Sequence, residues 1–139
     1  MMTADMPCPS DSPTVLGGHK SIRILVVDDH ARVRQTLRSM IEDCDYMRVV
    51  GEVSNGLEAI QAVPVANPHV VVMDINMPVM NGIEATKRIK ADFPDTAIIG
   101  LSVQNEKEIM QKMRAVGASA YLMKGASIEM LCRAIEEAA

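Results

Sequence analysis

The chain has 139 residues, enough for one domain of ordinary size with a single good core. Hydrophobic residues make up 48% and charged residues 23%, the balance of a soluble globular protein, and the longest apolar runs are far too short to cross a bilayer. A formal net charge of −4 argues against unaided binding of nucleic acid, because phosphate contacts need a basic surface.

Residues 1–20, MMTADMPCPSDSPTVLGGHK, hold three prolines and a Gly-Gly pair but no basic start followed by an apolar stretch. They do not read as a secretory signal; the expectation is a flexible tail or linker, with the folded domain over 21–139. The three cysteines, Cys8, Cys44 and Cys132, form no CxxC pair and are odd in number, so they read as reduced thiols of a cytoplasmic protein. Aromatics are confined to Tyr46, Phe93 and Tyr121, and the 12 methionines suit a pliable core.

IRILVVDD, residues 22–29, lacks polar alternation and predicts a strand covered on both faces. Val33, Leu37, Met40 and Ile41 follow at helical spacing, with Arg32, Arg34, Arg38 and Glu42 on the other side. MRVVGEV predicts a second strand, closed by the turn Ser54-Asn55-Gly56. A short helix begins at Leu57, Ala59 and Ile60, and Pro64 is expected to end or strongly distort it. HVVVMD is the third and most apolar strand, and the Pro- and Gly-containing loop INMPVMNG leads into a helix marked by Ile83, Thr86 and Ile89 that stops by Phe93-Pro94-Asp95. TAIIGLS predicts strand four. Ile109, Met110, Met113 and Val116 set the inner face of helix four, with Gly117 as its terminating glycine. ASAYLMK predicts strand five, and Ile128, Leu131 and Ile135 the last helix. Strictly alternating β and α units imply a parallel sheet wrapped by helices through right-handed crossovers.

The strands end in groups suited to a phosphate or a divalent cation: Asp28-Asp29, Asp74, Ser102 and Lys124. In an open parallel sheet the carboxyl ends of the strands share one edge, and ligands bind in the crevice there. One Asp of the first pair could simply cap the helix starting near Ala31. Three carboxylates brought together, however, repel one another and take up protons unless a cation intervenes. An oxygen-only set suits Mg²⁺, with His30 read as a helix-start residue rather than a ligand. Asp74 is the candidate nucleophile, able to accept a phosphoryl group as an acyl phosphate. Ser102 could donate to a phosphoryl oxygen and Lys124 could neutralise another. Tyr121, three residues before Lys124, falls on the opposite face of strand five.

LVVDDH at 25–30, VVVMDINMPVMNGIEATKRIK at 70–90, IIGLSV at 98–103 and AYLMK at 120–124 resemble the receiver domain of two-component response regulators, from about Ile22 to Ile135. The resemblance implies a flavodoxin-like (βα)5 fold, α/β and doubly wound, its five-stranded parallel sheet in the order 2-1-3-4-5. It implies Asp74 as the phosphoacceptor for a histidine kinase or phosphotransfer protein. It also implies Asp29 as direct Mg²⁺ ligand, Asp28 acting mainly through water, and the backbone carbonyl of Asn76 completing the shell. Ser102 matches the hydroxyl residue that moves toward the phosphoryl group, Lys124 the lysine that pairs with it, and Tyr121 the aromatic that swings inward on activation. DDHxxVR, VVGEVSNG and GIEATKRIK resemble receivers of helix-turn-helix regulators, whereas GLSV resembles those of hybrid sensor kinases. The implied output domain would lie outside this chain. The implied switching face is helix four, strand five and helix five, which could also form a homodimer. Val103 stands where relatives carry a small residue, so slow phosphate turnover is expected. Gly125 replaces a common proline, and Gln104 lies where relatives tune phosphoryl lifetime.

Two other readings compete. A docking or dimerisation module with the same fold but no phosphorylation is disfavoured by the intact site. A small-molecule or phosphatase site is disfavoured position by position. DDHARVR offers no flavin phosphate loop, Val33 stands where a cobalamin motif needs glycine, and Asn76 stands where a haloacid-type phosphatase needs a second Asp.

Overall fold

Each of the five apolar runs is a strand and each is followed by a helix. The computed structural model describes residues 21–103 and 107–139; the expected tail over 1–20 and Gln104 lie outside the described residues. The elements are β1 (Ile22–Val27), α1 (Ala31–Glu42), β2 (Met47–Val53), α2 (Gly56–Ala66), β3 (Val70–Asp74), α3 (Gly82–Asp92), β4 (Ala97–Ser102), α4 (Lys107–Ala115), β5 (Ala120–Met123) and α5 (Ile128–Ala138). The sheet order is β2-β1-β3-β4-β5, all parallel, as the resemblance implied.

The lack of alternation in the central strands has its cause in the packing. In β1, Ile24 and Val26 join one core layer while Leu25 and Val27 join the other, so every position meets a helix. The first layer takes Leu37 and Ile41 of α1 and Leu131, Cys132 and Ile135 of α5; the second takes Ala59 and Val63 of α2, Ala85 and Ile89 of α3 and Met113 of α4. Register pairs Val27 with Met73, and Asp74 with Leu101. Asp28 just past β1, Asp74 at the end of β3 and Ser102 at the end of β4 are thereby brought to one rim.

Helix ends follow local chemistry. Asn55 and Asn81 cap α2 and α3 by accepting from Glu58 N and Glu84 N at 2.9 Å each, and Ser127 caps α5 through Met130 N. Gly117 follows α4 with φ 106°, a left-handed conformation that glycine adopts without steric cost.

Two expectations are corrected. Pro64 does not end α2, which runs on to Ala66; its side chain is exposed, and Asn67, left-handed at φ 51°, closes the last turn by donating to Val63 O at 2.9 Å. The missing N–H therefore falls near a helix end that another residue caps. Neither Asp28 nor Asp29 caps α1. His30 occupies the N-cap position without a side-chain cap, and Asp28 Oδ1 instead accepts from the His30 backbone N–H at 2.8 Å, inside the β1–α1 turn.

Candidate functional site at the carboxyl rim of the sheet

Asp28 and Asp74 are carried past β1 and at the end of β3, on neighbouring strands, and both are buried. Lys124, just beyond β5, reaches across to them, with Nζ 2.8 Å from Asp28 Oδ2 and 3.2 Å from Asp74 Oδ1. Asp29 is partly exposed beside them. Ligating atoms of Asp28, Asp29, His30 and Asp74 all fall within 4.8 Å of one another. The sequence-predicted carboxylates and amine thus share one pocket.

The Asp74 carboxyl is raised to about 6, by burial first and by the nearby Asp28 charge second, with Lys124 pulling the other way. Burial alone would lower the Lys124 ammonium, but Asp28 and Asp74 together outweigh it and hold the amine above its ordinary value. One cation is left among three acids. Asp74 Oδ2 is buried with no hydrogen-bond partner. Asp28 Oδ2 and Asp29 Oδ1 make no hydrogen bond either, although Lys124 Nζ approaches the first at 2.8 Å and His30 Nδ1 the second at 3.1 Å. Buried carboxylate oxygens left over in this cluster fit a hard divalent cation that takes few protein ligands and keeps its waters.

Ser102 ends β4 with its side chain buried, and its carbonyl accepts from Lys124 N at 2.9 Å, which ties the lysine's backbone to the serine's. Tyr121 is half-buried in the second core layer, against Gly100, while Leu122 joins the first layer, so Tyr121 lies on the far side of the strand from the face lined by Leu122 and Lys124. Asn76 is exposed in the β3–α3 loop. Val103 is 63% exposed. The β5–α5 turn containing Gly125 is closed by Ala126 N donating to Met123 O at 3.0 Å, and a side chain at Gly125 would meet nothing.

Two features were missed in the sequence. Arg34, assigned to the outer side of α1, turns back and donates from Nη1 to the Asp28 carbonyl at 2.7 Å, with Nε 3.6 Å from Glu52. An arginine one turn into the helix after the acidic pair was the available signal. Val79 holds φ 69°, a left-handed conformation that a β-branched residue rarely takes, and nothing in its residue type announces it.

Fold and rim together define a doubly wound α/β domain with an acidic crevice at its topological switch point. The family model described as "Response regulator receiver domain" matches residues 24–136. This chain belongs to that family, the phosphoacceptor signalling domains of two-component systems. It is 37% identical over 114 residues to the response regulator GacA of Pseudomonas protegens, covering 82% of this chain and 54% of that protein. Identity to the response regulator UvrY of Escherichia coli is 40% over 114 residues, covering 82% of this chain and 52% of that one. Among solved structures, a LuxR-family two-component response regulator from Aurantimonas superposes with TM-score 0.81 at 33% identity, covering 85% of this chain and 84% of the other. The response regulator domain of Thermotoga maritima CheB gives 0.80 at 35% identity, covering 86% and 96%. The chain spans about half the length of the curated relatives it matches.

Proposed function

We propose that Asp74 is the phosphoacceptor and that this rim performs its own phosphoryl transfer from a histidine kinase or phosphotransfer protein. The observation that carries the reading is Lys124 Nζ bridging Asp28 and Asp74 while Asp74 Oδ2 is left buried without a partner. A carboxylate oxygen of Asp74 attacks the phosphorus of a phosphohistidine; an O–P bond forms as the N–P bond breaks, and the leaving imidazole takes the electron pair. Near neutral pH most Asp74 is ionised, and Lys124 is placed to neutralise a phosphoryl oxygen. Asp28, Asp29, Asp74 and the Asn76 carbonyl would hold Mg²⁺, which supplies charge for the incoming phosphoryl oxygens. Ser102 then moves toward the phosphoryl group and Tyr121 fills the space behind it, shifting the population toward an altered α4–β5–α5 face that signals onward or pairs with a second copy.

The wider assignment follows the relatives. One, from Bacillus subtilis and 39% identical over 116 residues, is a transcriptional regulatory protein, YdfI. We take this chain as the receiver portion of a cytoplasmic DNA-binding regulator, in preference to a hybrid kinase. DNA contact then belongs to the output domain, outside this acidic domain.

The test is intact mass after incubation with Mg²⁺ and acetyl phosphate. One phosphoryl group should add to the parent chain and none to Asp74→Asn; equal labelling of both would end the assignment. In the same assay Val103→Ala should label and lose phosphate faster than the parent, and unchanged rates would remove Val103 as a brake.

A further inference from the structure

Cys44, in the turn between α1 and β2, and Cys132, on the inner face of α5, are 88 residues apart in sequence, yet their Sγ atoms lie 3.2 Å apart. Both are buried, at 5% and 3% exposure. We propose that Cys44 and Cys132 are a redox-modification site, a thiol pair that hydrogen peroxide converts to a disulfide tying α5 to the α1–β2 corner.

The geometry carries this in three ways. A disulfide bond is about 2.05 Å long, so closure needs the sulfurs to approach by little more than an ångström. The Cys44 backbone is pinned, its N–H donating to Ile41 O at 3.1 Å and its carbonyl accepting from Met47 N at 3.0 Å. The Tyr46 hydroxyl donates to the Glu136 carboxylate one turn along α5, so the same corner and helix are already clamped beside the pair.

The chemistry balances. One thiol, as thiolate, attacks a peroxide oxygen; the O–O bond breaks, water departs after protonation, and a sulfenic acid remains. The second thiol attacks the sulfenic sulfur, forming the S–S bond and expelling a second water, so two thiols and one peroxide give one disulfide and two waters. The thiols are oxidised and the peroxide is reduced. Neither thiol is among the residues gathered at the acidic rim, so the proposal does not rest on the function assigned above.

The test is peroxide treatment of the whole folded chain, followed by alkylation and peptide mass mapping. The expected product is a monomer lighter by two hydrogens, linked Cys44–Cys132, with Cys8 still alkylated. Its Tm should rise, because the bond closes a long loop, and dithiothreitol should restore the starting value. A Cys8→Ser chain should behave like the parent, and Cys44→Ala or Cys132→Ala should show no Tm rise. Closure should also be at least tenfold faster in the folded chain than in denaturant. Both thiols remaining alkylatable, links only through Cys8 or between chains, or equal rates folded and unfolded would each overturn the proposal.

Discussion

Asp74 and Val79 show how much single residues carry in this domain. The Asp74 carboxyl, raised to about 6 by burial and by Asp28, keeps its proton in the folded chain at pH values where the unfolded chain has lost it. Between the ordinary carboxylate value of about 4 and that raised value, the native state binds more protons, so this group's contribution to stability falls as pH rises. Asp74→Asn removes the effect. Without divalent cations, the variant should therefore gain Tm over the parent as pH goes from about 4 to 7, read by thermal unfolding at several pH values. A gap independent of pH would show that the carboxyl is not strained. Val79 predicts differently, since its cost is conformational. It holds φ 69° and is 76% exposed, so nothing in the core is lost on replacement. Asn tolerates the left-handed region, and Val79→Asn should stabilise the chain by about 1 kcal/mol in denaturant titration.

The β3–α3 connection shows the same economy at the level of elements. Gly82 begins α3 directly over the end of β3, its N–H donating to Ile75 O at 2.9 Å. A Cβ there would fall 2.3 Å from the Asp74 carbonyl and 3.0 Å from Ile75 Cα, both backbone atoms. Backbone cannot step aside as a flexible side chain does, so Gly82→Ala should cost about 2 kcal/mol or more and slow acetyl phosphate labelling together. Loss of stability with labelling intact would mean that α3 does not position Asp74. The motif VVVMDINMPVMNG is therefore a packing device as well as a chemical one: glycine lets the helix sit on the strand that carries the acid. Pro64 teaches the reverse lesson. A residue that breaks helices in general did not break α2, because only its last turn lay beyond and Asn67 closed it.

At the scale of the whole molecule, the acidic site exists only when the sheet is assembled, because its three carboxylates come from the ends of β1 and β3. A cation that needs all of them binds the folded state and not the unfolded chain. Mg²⁺ should then raise Tm in a concentration-dependent way, by an amount equivalent to about 2.7 kcal/mol at a hundredfold excess over Kd. Asp29→Asn should blunt the rise, and a parent chain whose Tm ignores Mg²⁺ would remove the proposed metal site.

Strands, helices and the convergence of Asp28, Asp29, Asp74 and Lys124 on one rim were legible in the amino-acid order alone. An unbroken apolar run ending in an acid reports both burial on two faces and the edge where burial stops. Arg34, Val79 and the Cys44–Cys132 pair were not legible. Arg34 looked like an outer helix position because helical spacing says nothing of a long side chain that folds back to a carbonyl. Val79 turns left-handed inside the β3–α3 loop, where its residue type gives no sign of it, and two thiols 88 residues apart meet only because α1 and α5 cover the same face of the sheet. Local chemistry along the chain determined the parts and their termini. Which distant groups touch was decided by the order of the strands, since packing on two faces of one sheet brings together residues that share no pattern in sequence.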